Sequence, residues 1–278
     1  MKLLIDLLVI LRGKNAKRSK RNAQHTQVTN KEVKPYTWAW VVQPSLKDGI
    51  TMKKRTQLGL VMTSVAMALG SASVNAAELE ITVTNATKGI YFTPLIVAAH
   101  GSDLQMFRTG QAATPELEAM AEGGDISGLA SVIGNAGGAV VENPAGGILN
   151  PGVATTFTLD SGDHGYLSLS AMLLPTNDGF VGLDSWKIPT EAGTYRATLR
   201  SYDAGTEAND ELASSMPNPP FITFGTGGTG VEATVTNDKV HVHPGNLGDS
   251  DPTGGISDLD SSSHRWLNPV ATITIVVK

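Results

Sequence analysis

The sequence contains no cysteine among its 278 residues. A disulfide therefore cannot brace the fold, and packing or a bound ion must hold it together. The sequence also lacks Gly-x-Ser-x-Gly and His-Glu-x-x-His, the motifs of two common hydrolase classes. Carboxylate pairs for glycoside hydrolysis can be chosen in any acidic protein, so their presence does not indicate an enzyme. We expect a protein without catalytic activity.

Positive charge is scarce after residue 55. Residues 1–55 hold 13 of the 21 Lys and Arg, whereas residues 77–278 hold 8 Lys and Arg against 23 Asp and Glu, a net charge of −15. Phosphate groups would be repelled by such a surface. We therefore expect no nucleic acid as a partner of the folded part.

No apolar run reaches the roughly 20 residues that a transmembrane anchor needs. Residues 53–55 are Lys-Lys-Arg, residues 58–69 are mostly apolar, and Val-Asn-Ala at 74–76 ends in the small residue that signal peptidase accepts. This order predicts a signal peptide at 52–76, export to the periplasm or the extracellular space, and no membrane insertion after cleavage.

Residues 1–51 are basic and show no sustained periodicity, which is unusual ahead of a signal peptide. They indicate a start assigned too early, or a disordered basic segment; the alternative is a basic arm that binds nucleic acid. The remaining residues, 77–278, are enough for one domain with a sizeable core.

Apolar and polar residues alternate at 79–84 and at 270–277, which predicts half-buried β-strands. Other segments are rich in β-branched and aromatic residues and are bounded by Gly, Asn, Asp or Pro. These are residues 90–98, 155–159, 166–174, 195–202 and 231–235. Such a succession predicts an all-β antiparallel sandwich.

One region predicts helices instead. Thr114 is a suitable N-cap, Pro115 suits the first helical position, and Gly123 and Gly124 end the segment. A second short helix is expected between Asp125 and Gly134. We expect these two helices to be a short insertion beside the sheets.

Two acidic, glycine-containing segments, at 175–185 and 202–211, are predicted as loops between strands. Calcium takes six to eight oxygen ligands, and loops at one end of a sandwich supply them. Asp178 and Asp203 each follow a predicted strand, and they meet if those strands are neighbours; Asp160 and Glu207 are further candidate ligands. The alternative is that these residues only form turns. Residues 209–211 are expected to be a solvated rim, and Asp184 a bystander.

A resemblance joins these segments. Pro-Thr-Asn-Asp-Gly at 175–179 and Asp-Ala-Gly-Thr at 203–206 resemble motifs of the spondin N-terminal domain family. The similarity extends upstream through Phe-Thr-Pro at 92–94, Ala-Ala-His at 98–100 and Ala-Glu-Gly-Gly at 121–124, and it covers essentially residues 78–278.

The resemblance implies a C2-like β-sandwich with a Ca²⁺ site, no catalysis, and a role in adhesion or recognition of an extracellular protein or glycan. It matches Asp178 and Asp203 to the family's metal-binding carboxylates and Glu207 to an acidic position after Asp-Ala-Gly-Thr. The family's further acidic ligand falls at Leu159 here, so Asp160 is its nearest substitute. The cysteines of animal members are missing.

Two other functions stay open. His241 and His243 lie on one face of a predicted strand, as in transition-metal sites, and would serve an exported metal-dependent enzyme. A purely structural protein of the cell envelope would bind neither kind of ion.

Overall fold

The computed structural model describes residues 77–217, 225–226, 238–251 and 254–278. The expectations about residues 1–51, the signal peptide at 52–76 and a strand at 231–235 lie outside this part of the chain. The described residues contain ten strands, namely β1 (Glu78–Asn85), β2 (Tyr91–Phe92), β3 (Ile96–His100), β4 (Ala139–Glu142), β5 (Ala154–Asp160), β6 (Tyr166–Leu174), β7 (Gly179–Lys187), β8 (Gly193–Asp203), β9 (His241–Val242) and β10 (Ala271–Val277). The two α-helices are α1 (Pro115–Gly123) and α2 (Ser127–Asn135).

The strands form two antiparallel layers that share β8. Sheet I has the order β5-β1-β10-β8, and sheet II has the order β4-β3-β6-β7-β8. The first part of β8 pairs with β10 as far as Leu199, and its last four residues pair with β7 up to Asp203. An 11-residue strand thus passes from one layer to the other. The predicted all-β sandwich with a short two-helix insertion is confirmed.

The main hydrophobic core lies between the layers. It combines side chains of sheet I, such as Ile81 and Ile275, with side chains of sheet II, such as Val97 and Leu169. Along β1 buried and partly exposed residues alternate, because only one face of sheet I is covered. This pattern was visible in the sequence.

Sheet II is covered on both faces. Its second face carries Met172 and Phe180, which pack with Leu117, Met120 and Ile133 of the two helices. All residues of β3 and nearly all of β6 are therefore buried. The helical insertion thus covers the second face of sheet II and forms a second hydrophobic core with it. None of the described helices is both long and apolar enough to cross a bilayer.

The helix boundaries agree with the sequence signals. Thr114 Oγ1 accepts a hydrogen bond from the backbone N–H of Leu117 at 3.2 Å, and Gly124 ends α1 in the left-handed conformation with φ 71°. Asp125 accepts from the backbone N–H of Ser127 at the start of α2. The expected caps of α1 are present. At α2 the N-cap position is Ile126, which makes no side-chain cap hydrogen bond, and the helix ends at Asn135, one residue beyond the expected Gly134.

Thr114→Ala removes the acceptor for one of the free N–H groups of α1. We expect a loss of about 1 kcal/mol in the free energy of unfolding, as for other N-caps. Urea denaturation followed by circular dichroism measures it. Thr114→Ser keeps the hydroxyl and should retain most of the stability; equal losses for both variants would contradict the capping role.

One prediction about local structure was wrong. Residues 175–185 were expected to form a loop, but β7 begins at Gly179 and is a central strand between β6 and β8. Two glycines and an aspartate weaken its strand signal. Gly182 is required by packing, because an added Cβ would lie 2.6 Å from Cζ of Phe107. A small residue at that position makes room for the aromatic ring.

Candidate metal site

Asp178 and Asp203 meet because β7 and β8 are antiparallel. Asp178 immediately precedes β7, Asp203 is the last residue of β8, and Gly179 pairs with Asp203 in register. The backbone N–H of Ala204 donates to the carbonyl oxygen of Asp178 at 3.2 Å. The two carboxylates were expected to meet through neighbouring β6 and β8; the strand between them, β7, is what joins them.

The carboxylate of Asp178 is completely buried, and one of its two oxygens has no hydrogen-bond partner. Its Oδ2 accepts from the backbone N–H groups of Thr206 at 2.8 Å and Glu207 at 3.1 Å, and from the Thr206 hydroxyl at 3.3 Å. Its Oδ1 has no hydrogen-bond partner within the described part of the chain. Burial, followed by the charge of Asp203, raises the pKa of Asp178 to about 6. Buried polar atoms without a partner are rare in native proteins, so this oxygen marks Asp178 as a candidate functional residue.

Asp203 is buried beside Asp178 and is held by its own turn. Its Oδ1 accepts from the backbone N–H of Gly205 at 2.8 Å, and its Oδ2 accepts from Nδ2 of Asn209 at 2.5 Å. Gly205 has φ 75°, a conformation that glycine adopts without strain. The Asp-Ala-Gly-Thr motif therefore orients one carboxylate and supplies the amide that holds the other.

Glu207 lies in a strongly negative environment. Its pKa is raised to about 8, mainly by burial and then by the carboxylates of Glu122, Asp178, Asp210 and Glu118, in that order of importance. Every charged group that acts on Glu207 is another carboxylate. Each of these acids would be more stable as an anion if a cation lay among them.

The described residues contain no group of three or more His, Asp or Glu side chains that could hold a metal ion as it stands. The reason is visible in the contacts. Three of the four oxygens of Asp178 and Asp203 are turned to backbone N–H groups or to Asn209. Only Oδ1 of Asp178 is left without a donor.

The structure does not bring Asp160 to this site. Asp160 ends β5 opposite Glu78, at the end of sheet I where β8 begins, and its exposed side chain accepts from the backbone N–H of Gly162. Asp203 lies at the other end of the 11-residue β8, a strand that is about 30 Å long at the usual rise. Leu159, at the position of the family's further ligand, is buried in the main core at the same distant end.

The two histidines lie beside Asp203 but do not offer paired metal ligands. His241 donates from Nδ1 to the carbonyl oxygen of Lys239, which leaves Nε2 3.6 Å from Oδ2 of Asp203. Nδ1 of His243 accepts from the backbone N–H of Gly245, so the hydrogen of the neutral ring is on Nε2. Burial lowers the pKa of His243 to about 4. Its ring packs 5.0 Å from the ring of Trp266 as a neutral core residue.

Sequence reasoning missed several residues around the site. Residues 209–211 were expected to form a solvated rim. Asn209 is exposed, but its Nδ2 also donates to Asp203, and the half-buried Asp210 accepts from Asn177 and Ser215. Glu122 acts on Glu207 from α1, 85 residues earlier in the chain. No local pattern in the sequence links α1 to this loop.

The raised pKa of Glu207 predicts that the folded protein loses stability between neutral and weakly alkaline pH when divalent ions are absent. Its pKa in the folded protein, about 8, is above its ordinary value of 4.5, so stability is lost as pH rises through that window. Between pH 6.5 and 8, where Asp178 and His243 have largely finished titrating, we expect a loss of about 2 kcal/mol. Urea denaturation in EDTA measures it. Glu207→Gln should abolish the loss; an unchanged pH profile in this variant would contradict the assignment.

One of the comparisons with known proteins returned a match. The Spondin_N family model matches residues 84–223, which is half of the chain and includes the ends of both strands that carry the acidic site. The chain belongs to the spondin N-terminal domain family. Spondin domains are non-enzymatic modules and are typically extracellular. The search of curated proteins found no match.

Proposed function

We propose that this protein is an exported, non-catalytic recognition module. One Ca²⁺ ion would fix the loops next to Asp178 and Asp203. Asp178, Asp203 and Glu207 are the residues that would hold it. The observation that carries the proposal is Oδ1 of Asp178, a completely buried carboxylate oxygen without a donor, beside a second buried carboxylate. Asp160 is left out of the ligand set, because it lies at the opposite end of the sandwich.

The donor set favours calcium. Every candidate ligand is a carboxylate oxygen, and hard oxygen donors suit Ca²⁺ and not the softer transition metals. The sequence has no cysteine, and the hydrogen-bonded ring of His243 does not present an Nε2 lone pair. Carbonyl groups and water complete such sites in other calcium proteins.

The ion would have a structural role. Without it, Glu207 reduces the repulsion among the carboxylates by holding a proton at neutral pH, and the raised pKa of Asp178 shows that its charge is disfavoured. A bound divalent cation would replace the proton on Glu207 and offset the negative charge of Asp178. Because Glu207 lies on the loop that follows β8 and Asp178 immediately precedes β7, the ion would fix that loop against β7.

The sequence and the family both favour recognition over catalysis. The chain lacks the common hydrolase motifs, and the family consists of non-enzymatic modules. A fixed set of loops at one end of a rigid sandwich is a common way to present a binding surface. The partner would be an extracellular protein or a glycan.

Metal analysis tests the proposal against its alternatives. We expect protein that was stripped with EDTA to bind one Ca²⁺ per chain in isothermal titration calorimetry, and to bind Zn²⁺ more weakly. Zinc, copper or iron retained at stoichiometric amount and held through His241 would instead support a metal-dependent enzyme. A chain that binds none of these ions would support a structural role in the cell envelope.

A further inference from the structure

Exposed aliphatic side chains are concentrated on the loops next to the acidic site. Seven large hydrophobic residues are exposed in the described part of the chain, and five of them lie between residues 212 and 267. The three most exposed are Ile256, Leu267 and Leu247, with 92%, 78% and 72% of the residue surface accessible. We call these three residues the aliphatic rim. Scattered single exposures are ordinary, but a concentration on one set of loops indicates an interaction site.

Glu211 fixes the backbone at the aliphatic rim. Its Oε1 accepts from the backbone N–H of Leu247 at 2.6 Å, and its Oε2 accepts from the N–H of Gly248 and the hydroxyl of Ser257. Its own carbonyl oxygen accepts from the N–H of Asp258 at 2.9 Å. Glu211 also adopts φ 57°, a conformation that costs free energy in a residue other than glycine. One side chain thus joins the loop of the acidic site to both segments that carry Leu247 and Ile256.

Asp249 fixes the same region from the other side. Its carboxylate accepts from the backbone N–H groups of Asp251, Ile256 and Ser257 at 2.9 to 3.1 Å. Leu247 and Ile256 are therefore held at their own backbone N–H groups by acidic side chains. Exposed leucine and isoleucine on a backbone with this many hydrogen bonds are presented in a defined arrangement, which lowers the entropy lost on binding.

The aliphatic rim continues directly from the acidic site. Nδ2 of Asn246 donates to the carbonyl oxygen of Pro175 at 3.0 Å, three residues before Asp178. The carbonyl group of Trp266, next to Leu267, lies so close to Gly245 that an added Cβ would be 2.5 Å from its oxygen. The loops around residues 175, 211, 247, 256 and 267 are consequently linked by direct contacts.

The negative charge of the loops around the aliphatic rim indicates which class of partner binds there. Apart from Asp203 and Glu207, which the proposed ion would neutralise, the described residues of 203–217, 238–251 and 254–267 include seven Asp and Glu but only two Lys and Arg. Complementary charge steers association and rejects wrong partners. An anionic lipid surface would be repelled, whereas a protein that presents apolar side chains next to Lys or Arg matches both features.

We propose that the aliphatic rim, formed by Leu247, Ile256 and Leu267, is the contact surface for a protein partner whose apolar side chains are flanked by lysine or arginine. This inference rests on the proposed function, because it names the class of partner for the same recognition module. Glu211 and Asp249 position the surface.

A peptide library displayed on phage tests the inference with defined probes. The folded protein is immobilised in Ca²⁺ and selected against random peptides, in parallel with Leu247→Ser/Ile256→Ser/Leu267→Ser and with Val132→Ser, which removes an exposed valine on α2 instead. We expect the wild type and Val132→Ser to enrich peptides that combine apolar residues with Lys or Arg. We expect the triple variant to bind those peptides at least about 10-fold more weakly, the equivalent of 1.4 kcal/mol.

Several results would overturn the inference. They are failure of the wild type to enrich peptides, enrichment of acidic or uncharged peptides, and equal binding by the triple variant with an unchanged melting temperature. Binding to phosphatidylcholine vesicles, or self-association in sedimentation velocity, that the triple variant loses would identify a membrane or a second copy as the occupant instead. Calorimetry on the same samples separates the two proposals. Ca²⁺ binding without enrichment of the expected peptides contradicts only the partner assigned to the aliphatic rim, whereas the absence of Ca²⁺ binding contradicts the proposed function.

Discussion

Asp178→Asn is expected to abolish the response of the protein to calcium and to stabilise the calcium-free form. Asparagine has the shape of aspartate, and its oxygen can still accept from the N–H groups of Thr206 and Glu207. It removes the negative charge that burial and Asp203 disfavour. At pH 8 in EDTA we expect the free energy of unfolding to rise by roughly 1–3 kcal/mol, as a shift of about two pKa units implies.

Thermal unfolding with and without Ca²⁺ measures both effects. Asp160→Asn is the matched control, because it makes the same change on the exposed residue at the opposite end of the sandwich. That variant should respond to calcium as the wild type does. A full calcium response in Asp178→Asn, or its loss in Asp160→Asn, would show that the ion binds elsewhere.

Phe180→Ala is expected to cause the largest loss of stability, about 3–5 kcal/mol. The side chain is completely buried, with ring centroids 5.0 Å from Phe107 and 5.5 Å from Tyr202. Phe180 and Tyr202 are also directly opposite each other on β7 and β8. Each therefore lies one or two residues from a carboxylate of the acidic site. Urea denaturation measures the stability, and calorimetry measures the calcium affinity that should fall with it.

Phe180→Leu keeps an apolar side chain in the same place and separates packing from calcium binding. We expect it to lose about 1.5 kcal/mol and to retain most of the calcium affinity. If Phe180→Ala unfolds the protein, this variant still tests the link. A variant that is as stable as the wild type would show that the aromatic cluster does not support the ends of β7 and β8.

The parts of the fold that were predictable have local causes. The N-cap, the proline and the glycine pair of α1 are all within ten residues of one another, so the helix is specified by its own sequence. The alternation in β1 and β10 arises because one face of sheet I is exposed to solvent. Where both faces are buried, as in β6, the pattern is lost although the strand is still rich in apolar residues.

The rest depends on contacts between distant segments. β7 is a strand because β6 and β8 flank it, although its glycines suggest a loop. The pairing of Asp178 with Asp203 was expected correctly, but for a different strand arrangement. Asp160 was chosen because it ends a predicted strand and is next to the aligned position, and only the strand pairing across sheet I shows that it lies far from Asp203. Glu122 and Glu211 act across separations for which one sequence has no signal.

The central claim is that a divalent cation completes the site of Asp178, Asp203 and Glu207. The most direct measurement is the melting temperature at pH 8, in EDTA and again with Ca²⁺ in about 100-fold excess over its dissociation constant. Such an excess stabilises the folded state by about 2.7 kcal/mol, which predicts a rise of about 5–10 °C for a domain of this size. The same melting temperature in both conditions, together with no calcium in the purified protein, would contradict the account.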